Sequence, residues 1–163
     1  MKFYTEFIVM HEDGPLPDEE NFCPSFWQAE DFDSDGDYYY DNIDGRWTNL
    51  ALTRRQPDGR NSILNVNTFR EQRLYEPGTQ EVEDLGRYIA YQKEGRYIHN
   101  QKISAMKNLA VTALAIQTFD LEDYREFLET VHFFLEYTKG IVVNFLDLDA
   151  ASFKEEFLSD PTT

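Results

Sequence analysis

Apolar residues recur at two spacings along the chain, one typical of strands and the other of helices. Aromatic and β-branched residues at 3–10 predict a first strand. Residues 46–55 and 61–70 predict the two arms of a hairpin, because the connection at 56–60 contains Pro and Gly in the arrangement of a turn. The predicted apolar face of this hairpin consists of Leu50 and Leu52 on one arm and Leu64 and Val66 on the other.

Helical patterns are found at two places before the C-terminal third. A short helix is expected from Pro24, since proline is tolerated at the first helical position, and it carries Phe26 and Trp27 towards the core. An apolar repeat at 82–95 predicts a second helix. Residues 96–107 are compatible with either a helix or a strand.

The C-terminal third predicts a strand, a long helix and a second strand. The first strand covers 111–119, although its alanines leave a helix as the alternative. Asp120 is a good N-cap for the long helix, and Asp123 follows three residues later in a pattern close to a capping box. Gly140 ends the helix, and residues 141–145 form the second strand. The apolar stripe of the helix comprises Leu121, Tyr124, Phe127, Leu128, Val131, Phe134 and Leu135.

A last short helix is expected after Asp149, which can cap it and turn Phe153 and Phe157 inward. Strand, helix and strand in succession predict a crossover unit, right-handed if its strands are parallel. Together with the hairpin and the first strand, this order predicts an α+β fold: a mixed, mainly antiparallel sheet with helices packed on one face. We expect one domain over residues 1–163, with an acidic loop insertion at 11–45.

Charge is distributed unevenly along the chain, which carries a formal net charge of -16. Residues 11–45 contain twelve carboxylates and no Lys or Arg, whereas residues 46–119 contain eleven Lys and Arg against seven Asp and Glu. Carboxylates at this density repel one another unless their charge is neutralised by a metal ion, by arginines of the chain or by a basic partner. The negative charge also makes direct nucleic-acid binding an unfavourable function.

Other sequence features narrow the function classes. The chain lacks the apolar run of a signal peptide and any stretch of 18 apolar residues, so a cytoplasmic protein without a membrane span is expected. Its single cysteine, Cys23, cannot form an intrachain disulfide and is interpreted as a buried thiol. No nucleophile elbow, phosphate-binding loop or zinc-protease motif is present, and His132 is interpreted as a surface residue near acids. A non-enzymatic protein is therefore expected.

One candidate chemistry of the acidic stretch is calcium binding. Asp31, Asp33, Asp35 and Gly36 match positions 1, 3, 5 and 6 of an EF-hand loop, and Asp37 would offer its carbonyl at position 7. Position 12 is Asn42, where the motif has a bidentate glutamate. The candidate Ca²⁺ ligands are Asp31, Asp33, Asp35 and Asp37.

The other candidate is a protein-binding surface. Tyrosines anchor interfaces, while carboxylates steer a basic partner towards its docking site. In the second half of the acidic stretch, three consecutive tyrosines lie among aspartates. One alternative for the tyrosines is that they face the core from a strand. The candidate partner-binding residues are Asp33, Asp35, Asp37, Tyr38, Tyr39, Tyr40, Asp41 and Asp44.

The C-terminal third also carries a resemblance. The predicted order is a strand at 111–119, a capped helix from Asp120, Gly140, a strand at 141–145 and a short helix around Phe153. In a small acidic chain with one cysteine, this order resembles bacterial immunity proteins that neutralise a co-produced toxin. The resemblance covers about a third of the chain in pattern. It implies a non-enzymatic inhibitor that caps a basic partner, often a nuclease-type toxin.

Overall fold

Two helices pack against one face of a six-stranded sheet in the part of the chain that the structure describes. The computed structural model describes residues 2–29, 31–36, 49–70, 102–103, 105–106, 108–144 and 147–158. The strands are β1 (Phe3–Glu12), β2 (Phe32–Gly36), β3 (Asn49–Arg55), β4 (Asn61–Arg70), β5 (Leu109–Thr118) and β6 (Ile141–Val142). The helices are α1 (Leu121–Thr138) and α2 (Ala150–Phe153), which continues as a π-helical turn at Lys154–Leu158. Two 3₁₀ turns lie at Glu19–Asn21 and Pro24–Gln28.

The strands follow the order β2-β3-β4-β5-β1-β6, and all neighbouring strands are antiparallel. Because β5 and β6 both pair antiparallel with β1, they run in the same direction with β1 between them. Helix α1 joins these two strands, as the predicted crossover requires. The α+β fold, with an antiparallel sheet and helices packed against it, is therefore confirmed.

The hairpin of β3 and β4 forms as predicted. Arg55 pairs with Asn61 at its closed end, and Gly59 supplies the turn with a φ of +86°. The Gly59 N–H donates to the Gln56 carbonyl at 2.9 Å. The four apolar residues predicted to share a face are all buried on the side of the sheet that α1 covers. These residues are Leu50, Leu52, Leu64 and Val66.

The core under α1 is rich in phenylalanine. Phe7 of β1 packs against Phe127 of α1, with ring centroids 6.0 Å apart, and against Phe153 of α2 at 5.2 Å. Phe157, in the π-helical turn, contacts the same Phe7 ring at 5.2 Å. The predicted inward turn of Phe153 and Phe157 is confirmed. Burial of these rings removes apolar surface from water and holds both helices against the sheet.

The ends of α1 are stabilised differently from the prediction. Asp120 is the N-cap, but its side chain accepts from the Glu122 N–H at 2.8 Å, and no capping box with Asp123 forms. The left-handed residue after the helix is Lys139, with a φ of 59°, rather than Gly140. Gly140 is needed for space, because a Cβ atom there would lie 2.6 Å from Val9 Cγ1.

Several predicted elements are wrong in extent. Residues 32–36 were expected in a loop, yet they form edge strand β2 because they continue the sheet beside β3. The strand predicted at 141–145 covers only Ile141–Val142, and residue 145 lies outside the described residues. Leu121 was placed in the apolar stripe of α1 but is 50% exposed, because it lies at the first turn beyond the sheet-facing side.

Part of the prediction falls outside the described residues. The helix predicted at 82–95 is one such case. In the segment 96–107, Lys102 and Ile103 lie in a helical turn. Ile103 is fully buried and packs with Met10 and Val111 on the face of the sheet opposite α1, where a second, smaller apolar cluster forms.

Candidate functional site

The acidic stretch contributes an edge strand to the sheet. β2 and β6 are the outermost strands of the described sheet. Phe32 and Ser34 of β2 pair with Arg54 and Leu52 of β3, whose side chains face α1, so Asp33 between them faces the opposite side. This side, opposite to the one that α1 covers, is the outer face of β2, and Asp33 is the predicted partner-binding residue that lies on it.

Asp31 and Asp33 are exposed carboxylates. Within the part of the chain that the structure describes, neither has an ion-pair partner or a side-chain hydrogen bond. The main-chain carbonyl of Asp31 accepts a hydrogen bond from the Arg55 N–H at 3.0 Å. The other predicted partner-binding residues lie outside the described part of the chain: the side chain of Asp35 and all of Asp37, Tyr38, Tyr39, Tyr40, Asp41 and Asp44.

The backbone of β2 bears on the calcium prediction. An EF-hand loop curls so that its positions 1, 3 and 5 converge on one ion, whereas residues 32–36 are extended and paired with β3. The loop on which the match to the motif was based is therefore not formed over these residues. Among the described residues, no group of three His, Cys, Asp or Glu side chains is placed to hold a metal ion. Since Asp35 and Asp37 contribute no described side chain, the four-residue calcium site stays a prediction.

Three of the four arginines in the described hairpin are bound to carboxylates, and the fourth, Arg55, is exposed with no ion pair among the described residues. This matters because the hairpin was the nearest internal source of positive charge for the acidic stretch. One of the three pairs, with Asp13, uses a carboxylate of the stretch itself, and the other two use carboxylates outside it. The pairs are Arg54 with Asp123 at 3.3 Å, Arg60 with Asp58 at 2.6 Å, and Arg70 with Asp13 at 2.8 Å.

Asp123 is the centre of a buried polar cluster. Its side chain is 4% exposed and accepts from Gln56 Nε2 at 2.6 Å and from Ser62 Oγ at 2.7 Å, in addition to the Arg54 pair. The Ser62 hydroxyl also lies 2.6 Å from Thr118 Oγ1. The first turn of α1 is thereby joined to β3, β4 and β5. A buried carboxylate is tolerated only with donors of this number, so the role of Asp123 is structural.

Arg54 extends this cluster to the segment that precedes β2. Its Nη1 donates to Ser25 Oγ at 3.2 Å, and the Ser25 hydroxyl donates to Glu126 Oε1 at 2.6 Å. The guanidinium also lies 5.7 Å from the centre of the Phe26 ring. These contacts fix the 3₁₀ turn Pro24–Gln28 against α1 and hold the chain where it enters β2. Arg54 is thus occupied from three directions and does not neutralise the outer face of β2.

A second buried polar cluster surrounds His11 on the face of the sheet that α1 covers. The His11 ring has Nε2 2.7 Å from Thr112 Oγ1 and Nδ1 2.9 Å from the Glu12 carbonyl oxygen. Thr112 in turn lies 2.8 Å from Thr68 Oγ1. Burial lowers the pKa of His11 from 6.5 to about 4, so the ring is neutral at neutral pH. This role could not be predicted from sequence, because a lone histidine in a strand belongs to no motif.

Arg60 is engaged at the tip of the hairpin. Its main-chain N–H and its Nε both donate to the Asp58 carboxylate, at 2.9 and 2.8 Å. These hydrogen bonds lower the pKa of Asp58 below its ordinary value. The guanidinium also lies over the Phe119 ring at 4.5 Å. Arg60 is therefore paired within the turn itself and not with the acidic stretch.

Cys23 and His132 agree with their interpretations. Cys23 is buried, its pKa is raised by that burial, and its main-chain N–H donates to Thr130 Oγ1 at 3.0 Å. A protonated thiol of this kind is a poor nucleophile. His132 lies near an acid as expected, with its Nδ1 3.4 Å from Glu136 Oε1, and 17% of its side chain is exposed.

One cavity was missed by sequence reasoning. It has a volume of about 390 Å³ and lies between the last turns of α1 and the start of α2. Lys102, Lys139 and Lys154 are in its lining, together with His132 and Glu136. These lysines are far apart in sequence and form no motif, so only the fold brings them together.

Comparison with known proteins gives no match: no protein-family model, no curated protein and no solved structure is similar to the chain at the significance required. Among the described residues, no helix has both the length and the apolar character needed to cross a membrane. The functional interpretation consequently depends on the geometry of the chain itself.

Proposed function

We propose that the protein is a non-enzymatic acidic module of the immunity or inhibitor type, which acts in the cytoplasm by capping a basic protein partner. One observation carries this proposal. Asp31 and Asp33 are exposed and without ion pairs among the described residues, whereas Arg54, Arg60 and Arg70, three of the four arginines in the described hairpin, are bound to other carboxylates. The charge of these two carboxylates is therefore available to a partner.

Binding of a basic partner would lower the electrostatic energy of the acidic stretch. Like charges on neighbouring residues repel, and the repulsion is relieved when Lys and Arg side chains of a partner approach. Attraction between oppositely charged patches also raises the association rate, by roughly a hundredfold or more at low salt. In this proposal Tyr38, Tyr39 and Tyr40 supply the apolar contacts, while Asp33, Asp35, Asp37, Asp41 and Asp44 oppose the basic side chains.

The proposal is tested with the basic protein encoded by the adjacent open reading frame, where that product is toxin-like. We expect its association rate with this chain to fall as salt concentration rises, because salt screens exposed charges. The triple substitution Asp33→Asn, Asp35→Asn and Asp37→Asn should lower the association rate about tenfold or more at low salt while leaving the fold intact.

A matched control removes the same charge elsewhere. Glu122, Glu155 and Glu156 are exposed residues outside the acidic stretch, and their replacement by Gln should change the association rate less than about twofold. If the two triple variants are slowed equally, net charge rather than the β2 face attracts the partner. An association rate that does not depend on salt would overturn the steering role.

A melt with excess Ca²⁺ against a chelator separates the protein-binding proposal from a calcium-binding domain. A ligand that binds only the folded state must stabilise it, by about 2.7 kcal/mol at one hundred times its dissociation constant. A rise in melting temperature with Ca²⁺ that is lost in the Asp31→Asn variant would favour the calcium site. An unchanged melting temperature leaves the protein-binding proposal in place.

A further inference from the structure

The two edges of the sheet differ in how their main-chain groups are satisfied. At the β6 edge, the Val142 N–H donates to the Leu148 carbonyl at 2.8 Å, and the Leu148 N–H donates back to the Val142 carbonyl at 3.1 Å. At the β2 edge, no strand of the described residues pairs with Phe32–Gly36 on the side away from β3. An unpaired edge of this kind is a template to which another extended chain can add a strand.

The pairing with β3 determines which groups of β2 are free. In an antiparallel strand both main-chain groups of a residue point to one side, and that side alternates from residue to residue. The Arg55 N–H donates to the Asp31 carbonyl, so the groups of Asp31 and Asp33 face β3. The N–H and carbonyl groups of Phe32 and Ser34 therefore point to the open edge, and none of them has a hydrogen-bond partner in the described part of the chain.

The side chains of β2 differ between the two faces of the sheet. Asp33 is exposed on the outer face, without an ion pair among the described residues. On the face that α1 covers, the half-buried Phe32 ring packs against Trp27, with ring centroids 4.7 Å apart. An added strand alternates its own side chains in the same way, so its basic residues would lie beside Asp33 and its apolar residues beside Phe32.

The charge of this edge decides between a second copy of the chain and a basic partner. Residues 30–37 contain five carboxylates and no Lys or Arg, and the whole chain carries -16. Arg55, which bonds to the Asp31 carbonyl, adds a single positive charge beside them. Two copies of β2 placed edge to edge would bring like charges together, which is destabilising. The edge therefore disfavours its own copy and favours a strand of opposite charge.

We propose that the β2 edge binds an extended segment of the basic partner, which adds to the sheet as a further strand. In that segment Lys or Arg alternates with apolar residues. The main chain of Phe32 and Ser34 supplies the hydrogen bonds, and the alternating side chains supply the specificity. The inference rests on the proposed function for a basic protein as the occupant, and it adds the way in which that protein is bound.

A blocked peptide of four Lys-Val repeats is the probe, since it carries the expected alternation without the rest of a partner. Amide hydrogen exchange of the full chain is followed by NMR with and without this peptide. At about ten times the dissociation constant, the peptide should slow exchange of the Phe32 and Ser34 amides about tenfold, because exchange proceeds from the free fraction. The Asp33 amide, which already faces β3, should change little.

Two altered peptides separate strand addition from charge attraction. A peptide of four Glu-Val repeats has the same alternation with the opposite charge and should protect neither amide. The second is the Lys-Val peptide methylated at each valine nitrogen, the residues that would lie opposite Phe32 and Ser34. It keeps every charge but lacks the donors, so its affinity should fall at least about tenfold. Equal affinity of the methylated and unmethylated Lys-Val peptides would overturn the proposal.

Ser34→Pro tests the same edge from the side of the protein. The Ser34 N–H points away from β3, so proline there removes a donor from the open edge without breaking the pairing with β3. Binding of the Lys-Val peptide should weaken at least about tenfold. Ser34→Ala keeps the N–H and is the matched control, which should bind as the parent does. The melting temperature shows whether each variant folds, and the altered peptides test the edge without any change to the protein.

The failure of strand addition can be distinguished from the failure of the proposed function. If association of the basic partner depends on salt but Ser34→Pro binds it as tightly as Ser34→Ala, the acidic stretch attracts the partner without adding a strand, and only strand addition is overturned. If neither salt nor Ser34→Pro affects that association, both are overturned. Protection of the Phe32 amide that rises with the concentration of the free chain would identify a second copy as the occupant and would also overturn the assignment to a basic partner.

Discussion

Two sets of carboxylates in this molecule have opposite surroundings. Asp123 and Asp13 lie beneath the surface, each with 4% of its side chain exposed and each paired with an arginine of the hairpin. Asp31 and Asp33 lie on the edge strand in contact with water, without an ion pair in the described structure. The same residue type is therefore paired within the fold in one region and exposed to water in the other.

The difference shows that burial, rather than residue type, decides what a carboxylate does. Removing water from a charge costs several kcal/mol unless donors replace it, so Asp123 requires Arg54, Gln56 and Ser62. An exposed carboxylate needs no such donors because water solvates it. Arg54 and Arg70 meet the first requirement, whereas Asp31 and Asp33 are solvated by water.

The largest expected effect is that of Asp123→Ala. The substitution leaves the buried donors of Gln56, Ser62 and Arg54 without their acceptor, and the free energy of unfolding should fall by about 4 kcal/mol. Urea denaturation at pH 7 measures it. Glu122→Ala, one residue earlier and exposed, should change stability by less than about 0.5 kcal/mol. A loss below about 1 kcal/mol for Asp123→Ala would break the comparison.

Stability should also depend on pH through His11. Its pKa is lowered from 6.5 to about 4 in the folded state, so the unfolded chain binds the proton more readily between these values. The contribution of the neutral ring is complete above pH 6.5 and is lost as the pH falls to 4, which lowers the free energy of unfolding by about 3 kcal/mol.

The control for this pH effect is His11→Asn. It removes the titrating group, so the difference in stability between parent and variant should shrink as the pH falls from 6.5 to 4. Equilibrium denaturation at several pH values measures that difference. If the difference stays constant, protonation of His11 does not cause the loss of stability at low pH. The buried polar cluster around His11 is then less sensitive to protonation than expected.

A carboxylate of intermediate surroundings should give an intermediate effect. Asp149 is half-buried and caps α2 through neutral donors of Ser152 rather than through an arginine. Asp149→Ala should reduce stability by about 1 kcal/mol. Thermal melting measures the change, and Glu155→Ala in the adjoining turn, an exposed position, is the matched control.

The smallest effect is expected at the edge strand. Asp31→Asn and Asp33→Asn should each change stability by less than about 0.5 kcal/mol, with a slight gain at low salt because like charges are removed. Denaturation at low and high salt measures this. A marked loss of stability in either variant would show that these carboxylates have a structural role and would remove the contrast with Asp123.

The sequence predicted the elements that local patterns determine. The hairpin, β5, α1 and the cap at Asp149 each have a turn, a periodic apolar face or a capping residue within a few positions. Strand β2 was missed because its Asp-Ser-Asp-Gly composition disfavours strands, and only its pairing with β3 makes it one. The length of β6 was overestimated, since the apolar run after Ile141 continues beyond the residues that find a partner.

The candidate site was less predictable than the fold. Sequence reasoning identified the acidic stretch but could not tell which carboxylate each arginine would meet, because the pairs join β3 to α1 and β4 to the end of β1. The lysine cavity was invisible for the same reason: Lys102 and Lys139 come together only after α1 has packed on the sheet. Pairings over such sequence distances are set by topology rather than by local composition.

The place of β1 between β5 and β6 has a consequence for biosynthesis. Phe3 pairs with Thr118, and Met10 pairs with Ile141, so the first strand leaves the ribosome long before either of its neighbours exists. At a synthesis rate of about 5–20 residues per second, it waits for roughly 6–26 s. During that delay its apolar side chains are exposed to chaperones and to other nascent chains, which makes the timing of translation a determinant of the yield of folded protein.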